Sequence, residues 1–197
     1  LFRLAYREPA LAIRTAPQNP DDGLALGAER CSIVPNGVED MRGTVPEVTA
    51  APDSPITILF PGVLIPSKGV TDLFNAFYLA TKQGWNARLQ LMGKWGSSEY
   101  ERECKELVIT QGVADRVEFL GVLSGEEKFK KFAACDIFCF PSYFEAESFG
   151  LVLVEAMQFA KPVISSQWRG IPSVVNNGEN GFLVPVRDPA AVAAKMV

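Results

Sequence analysis

From residue 56 to the end, short runs of unbroken apolar residues alternate with amphipathic stretches, and few architectures accommodate that pattern. Ile56 to Phe60, Ala87 to Met92, Arg116 to Leu120, Asp136 to Phe140, Pro162 to Ser165 and Phe182 to Val184 read as strands. Helices are expected at Gly69 to Lys82, Ser98 to Gln111, Ser124 to Ala134 and Phe149 to Phe159. A last helix follows Asp188-Pro189, an N-cap residue with proline at the first helical position. Strands with no polar face must be covered on both sides, which requires helices packed on each face of a parallel sheet. The expected fold class is therefore α/β, a doubly wound parallel sheet. Such sheets bind ligands outside the carboxyl ends of their strands. The loops at 61–69, 93–97, 121–124, 141–149 and 166–170 are the ones to watch.

The first 55 residues are less regular. Leu1 to Ala16 reads as a helix, and Pro17 to Gly23 as a turn-rich breaker. Cys31 to Val34 reads as a short strand running into the tight turn Pro35-Asn36-Gly37. Residues 39–55 read as a linker or meandering loop. The chain begins without methionine, and Val197 stands about two turns into its last helix. A fragment of a longer protein is expected.

The residue inventory excludes several chemistries. With no histidine, neither Ser-His-Asp nor Cys-His catalysis is available, nor any histidine metal site. The four cysteines lack zinc or redox spacing and read as reduced and packed, which points to the cytosol. No Asp-x-Asp pair is present to hold a divalent ion on a diphosphate, so no metal or other cofactor is expected. A net charge of −4 and a pI near 5.0 argue against a nucleic-acid partner. No apolar run is long enough for a membrane span, and no segment reads as a signal peptide.

The stretch Pro141 to Met157 carries the most chemistry. It passes from a strand through a loop holding Glu145 and Glu147 into an apolar helix that contains Glu155. Backbone N–H groups at a helix start suit an anion. A charge inside Leu151-Val-Leu-Val-Glu155-Ala-Met needs a partner or a ligand, or else lies on a polar stripe. Eight helical residues would separate the Glu147 and Glu155 backbones by about 12 Å. A glycosidase pair sits about 5 to 9.5 Å apart, so the spacing fits two grips on one extended ligand better than an acid–base pair. Gly62 and Lys68 have the spacing of a P-loop, but Ser67 and Gly69 stand where that motif needs Gly and Ser/Thr, so the motif is rejected. Lys68 can still meet a phosphate as a point charge, or be a solvated lysine. There is no G-x-G-x-x-G, and Gly93-Lys-Trp-Gly96 is a loop of low specificity.

Taken together, these loops resemble those of retaining glycosyltransferases of the GT-B fold, specifically glycosyltransferase family 4 (group 1). The resemblance rests on Ile33-Val-Pro-Asn-Gly-Val38, Pro66-Ser-Lys68-Gly69, Phe119-Leu-Gly121 and Glu147-Ser-Phe-Gly-Leu-Val-Leu-Val-Glu155-Ala-Met157. Lys161-Pro-Val-Ile164, Gly170-Ile-Pro172 and Asn177-Gly-x-x-Gly-Phe-Leu-Val184 complete it.

The resemblance implies a Rossmann-like C-terminal half of a GT-B enzyme, with residues 1–40 the tail of a preceding domain and the junction, and 41–197 a C-terminally truncated nucleotide-sugar-binding domain. It implies a metal-independent hexosyltransferase acting on a UDP- or GDP-sugar with retention of configuration. The acceptor, a glycan, a lipid-linked species or a small molecule, would be met by the missing N-terminal domain. The implied location is cytoplasmic, or peripheral to the inner membrane in the full-length protein. By carry-over, Lys68 and Glu147 are the catalytic residues, Lys68 on the diphosphate and Glu147 on sugar hydroxyls. Gly62, Ser148, Phe149, Gly150 and Leu151 border the phosphate and sugar, Glu155 binds the ribose, and Gly121, Val122 and Leu123 line the base. Two positions depart from the family pattern: Val63 replaces a frequent arginine, and Arg169-Gly170-Ile-Pro-Ser173 replaces Gly-Gly-x-x-Glu. Donor affinity would then rest on Lys68, and on Arg169 if it turns inward. A non-catalytic nucleotide-sugar-binding or regulatory module on this fold, and an unrelated α/β oxidoreductase, are the alternatives.

Overall fold

The computed structural model describes residues 11–19, 30–46 and 54–197. Its main body is a six-stranded, all-parallel sheet built from β3 (Ile56–Pro61), β4 (Ala87–Met92), β5 (Val117–Gly121), β6 (Ile137–Phe140), β7 (Val163–Ser166) and β8 (Gly181–Val184). The strand order is β5-β4-β3-β6-β7-β8. The expected doubly wound α/β class is therefore found. Central β3 pairs with β4 along its whole length, from Ile56↔Ala87 to Pro61↔Met92, and with β6 at Ile58↔Ile137 and Leu59↔Phe138. Ile58, Leu59 and Phe60 are wholly buried, as their unbroken apolar run requires of a strand covered on both faces.

The helices are α1 (Val70–Lys82), α2 (Ser98–Thr110), α3 (Gly125–Ala134), α4 (Leu151–Met157) and α5 (Pro189–Met196). Right-handed crossovers place α1 and α2 on one face and α3 and α4 on the other. On the first face α1 packs with α2 and α5, and on the second α3 packs with α4. Phe74 and Phe77 of α1, Phe132 of α3 and Leu153 of α4 press onto Leu89, Leu91 and Phe138 of the sheet, all without exposure. The α5 start is as expected, with Pro189 at the first position and the Asp188 side chain accepting from the Ala191 N–H at 2.9 Å.

Two expectations require correction. Residues 12–14 are a strand rather than part of a helix: β1 (Ala12–Arg14) pairs in parallel with β2 (Cys31–Ile33). The Arg14 guanidinium donates to the Pro17 and Asn19 carbonyls, which fixes the turn after the strand. The rest of the expected helix, residues 1–10, lies outside the described residues. Residues 41–46 form irregular loop, as expected, and this loop is docked, with Val45 buried and the Met41 N–H donating to Gln158 Oε1 at 2.6 Å. Finally, the helix expected from Phe149 begins only at Leu151. Gly150 adopts φ 80°, a left-handed conformation that a helix cannot include. Glu147 thus lies in a turn before the helix, and a helical rise does not measure its distance from Glu155.

Candidate functional site

The winding of the sheet reverses between β3 and β6, so the loops that follow these two strands part at the carboxyl edge and leave a crevice. The chain fixes both walls of it. After β3, residues Pro66–Lys68 form a single tight turn that ends at Gly69, whose φ is 76°. A Cβ at Gly69 would overlap the Pro141 carbonyl, so only glycine lets the two loops touch. The Tyr143 N–H donates to the Ser67 carbonyl at 2.8 Å, a second link between the loops. The loop after β6 is tied to β7 as well, because the Ser166 hydroxyl donates to the Ser142 carbonyl and Trp168 Nε1 donates to the Phe144 carbonyl.

Lys68 and Glu147 meet across this crevice. Lys68 Nζ lies 2.5 Å from Glu147 Oε2, with side-chain exposures of 16% and 11%. The Ser142 hydroxyl donates to the same oxygen at 3.1 Å. The ammonium also stands 5.2 Å from the Phe140 ring centroid and 4.6 Å from that of Phe144. The rings and the carboxylate hold a cation that would otherwise be costly to keep from water. Ser142, Phe140 and Phe144 were not singled out from the sequence. Only the serine left a trace there, as a hydroxyl beside the glutamate loop.

A cleft of about 270 Å³ opens beside the pair, lined among others by Gly62, Val63, Phe149 and Gly150. Ser148, Leu151 and Val152 also border it, as does Asn36 from the segment after β2. Lys68 and Glu147 are its two charged lining residues, so the lining carries no net charge. The N–H groups of Ser148, Phe149 and Gly150 have no backbone acceptor among the described residues. A larger hollow of about 450 Å³, walled by Met157, Lys161 and Phe182, lies at the amino ends of β7 and β8. Volume favours that hollow. Chemistry favours the smaller cleft, because strand ends, loop N–H groups and a paired lysine converge only there.

The remaining expected residues lie outside this cleft. Glu155, on α4, pairs with Lys128 of α3 at 2.6 Å. Lys128, within the charged run Glu126 to Lys131, gave no sequence signal of such a role. Gly121 ends β5, Val122 and Leu123 follow it, and none of the three borders the cleft; Gly121 and Val122 are exposed, and the Gly93 N–H donates to the Gly121 carbonyl. Arg169 does not border the cleft. Its guanidinium lies over Trp168, 5.6 Å from the ring, beside a separate hollow shared with Tyr143 and Arg187. Glu145 is exposed. Among the described residues no three Asp, Glu, Cys or His side chains cluster as a metal site, and no helix is long and apolar enough to cross a membrane.

Comparison with known proteins gives concordant results. Residues 41–197 match the family model of the glycosyl transferases group 1. The chain is 31% identical over 175 residues to a phosphatidyl-myo-inositol mannosyltransferase of Mycobacterium leprae, covering 88% of this chain and 45% of that protein. It is 35% identical over 136 residues to a D-inositol 3-phosphate glycosyltransferase of Corynebacterium efficiens, covering 68% and 32%. The chain therefore spans less than half the length of these relatives. The crystal structure of Anabaena HepE with UDP-glucose superposes with a TM-score of 0.79 at 25% identity, covering 97% of this chain and 54% of that one.

Proposed function

The chain belongs to the glycosyl transferases of group 1 and has the Rossmann-like half of their GT-B fold, and from that footing we propose that it is the donor-binding domain of a retaining hexosyltransferase of glycosyltransferase family 4. The substrate is a UDP- or GDP-sugar, and no metal takes part. The observation that carries the proposal is the Lys68–Glu147 pair at the switch point, set beside unpaired loop N–H groups. HepE, solved with UDP-glucose, supports a nucleotide sugar as the ligand class.

In this reading the pair is a resting state. A diphosphate entering the neutral cleft takes Lys68 from Glu147, and the N–H groups of Ser148, Phe149 and Gly150 add donors to the same oxygens. The released Glu147 carboxylate, still held by Ser142, accepts from sugar hydroxyls. When the glycosyl–phosphate bond breaks, negative charge grows on the departing diphosphate. A lysine and dipoles already in place stabilise that charge without reorganising. Val63 brings no second cation, so the burden on Lys68 is larger than in family members with arginine there. The other wall of the site, and the acceptor, belong to a preceding domain, of which residues 1–40 are the tail and junction. Asn36, which borders the cleft, supports a junction that lies against the donor. Cytoplasmic residence, or attachment to the inner face of a membrane, is part of the proposal.

Proton NMR of the product formed from an α-linked nucleotide sugar by the full-length protein tests it. An α-linked product is expected. A β-linked product overturns retention, and absence of transfer from any UDP- or GDP-hexose supports the non-catalytic module instead.

A further inference from the structure

We infer that Lys128 is a positioning residue that sets selectivity for the nucleotide's ribose: it clamps one oxygen of Glu155 and so presents the other to the ribose hydroxyls. This rests on the donor-site reading above and adds a residue to it. Glu155 does not itself line the cleft, but it falls three and four positions after Val152 and Leu151, which do, and continues their helical face. Lys128 is the fourth residue of α3, the helix that follows the 121–123 loop. The pair therefore joins the helix that borders the cleft to the helix that follows that loop.

Its geometry is that of a holder rather than of a free surface pair. Lys128 Nζ donates to Glu155 Oε1 at 2.6 Å, and both side chains are mostly covered, at 22% and 18% exposure. Glu155 Oε2 is buried and has no hydrogen-bond partner. A buried carboxylate oxygen left empty is uncommon and needs an explanation. The lysine is confined by the rings of Phe129 and Phe132, at 4.9 and 5.3 Å. The neighbouring acids do not compete for it, because Glu126 and Glu127 both pair with Lys130, at 3.0 and 2.8 Å. An ammonium held in this way fixes the Glu155 carboxylate in one rotamer. Its second oxygen can then only accept, and an acceptor selects hydroxyls.

Calorimetric titration of the full chain with UDP and GDP, and with their 2′,3′-dideoxy counterparts, provides the test. The preference for the ribonucleotide is a ratio, which does not depend on the fraction of folded protein. The natural chain is expected to prefer the ribonucleotide about tenfold or more, the worth of a hydrogen bond to a charged group, and Lys128→Met to bring that preference within about twofold. Lys128→Arg, which keeps a cationic donor, should retain most of it. A preference that survives in Lys128→Met overturns the inference, as does equal weakening of both nucleotides, the mark of a purely structural lysine. Glu155→Gln separates the two readings. If it abolishes the preference while Lys128→Met does not, the ribose contact stands and the role of Lys128 falls. If it changes nothing, the ribose assignment of Glu155 fails and takes the Lys128 role with it.

Discussion

At the scale of single residues, the proposed site rests on two lysine–glutamate pairs that differ in their surroundings. Lys68 and Glu147 are each less than one-fifth exposed and share a serine and two phenylalanine rings. Glu147→Gln leaves Lys68 without its counter-charge in a poorly hydrated place. A loss of about 1–3 kcal/mol in urea unfolding is expected, and a loss below about 0.5 kcal/mol would mark an ordinary surface pair. The thiols make a second prediction. Burial pushes the Cys104 thiol up to about 11 and the Cys135 thiol up to about 12, and it raises Cys139 also. Cys31 is exposed. In the native state at pH 8 a thiol reagent should modify Cys31 alone, and all four thiols after denaturation. Folded values above the ordinary value of 9.0 favour the neutral form in the native state. Their stabilising contribution is complete below pH 9 and is lost as pH rises through 11 to 12. The thermal midpoint should therefore fall between pH 8 and pH 11. Among the candidate site residues, the sequence pointed to Lys68 and Glu147, which the structure brings together, because loop position and family resemblance coincided on them. Lys128 was not, because one lysine in a charged helix looks like its neighbours until the opposing helix is placed.

At the scale of elements, boundaries follow local chemistry. Asp188 caps α5 through the Ala191 N–H, and Asp188→Ala should cost about 1 kcal/mol. In a chain of this size that lowers the thermal midpoint by about 2–4 °C, and an unchanged midpoint would show that tertiary packing alone holds the helix end. Gly69→Ala combines a left-handed φ with overlap on the Pro141 carbonyl. It should destabilise by more than the cap deletion and weaken nucleotide binding, because it parts the loops that bring Lys68 to Glu147. The six strands of the sheet were readable as short, mostly apolar runs. The start of α4 was misplaced by two residues, because Phe149 and Gly150 continue the apolar pattern while the backbone at Gly150 cannot be helical. Segment 12–14 was misread for a different reason: a three-residue strand has too few positions to show a period, and its pairing with residues 31–33 is non-local.

At the scale of the whole molecule, the strand order matters more than any one loop. A sheet wound β5-β4-β3-β6-β7-β8 must open its crevice between β3 and β6, and the loops carrying Lys68 and Glu147 follow those two strands. Topology thus brings together residues 79 positions apart. The alternation of strands and helices made the fold class legible, but pairing order is set by long-range packing that no local pattern records. The central claim is that this crevice binds the diphosphate of a nucleotide sugar through Lys68. Isothermal titration of UDP and GDP into the natural chain and into Lys68→Met tests it most directly. The account predicts binding of at least one nucleotide by the natural chain and a loss of about tenfold or more in the variant, the worth of a charge-assisted contact to phosphate. Equal affinity in the two proteins, or no binding of either nucleotide by the natural chain, would contradict it.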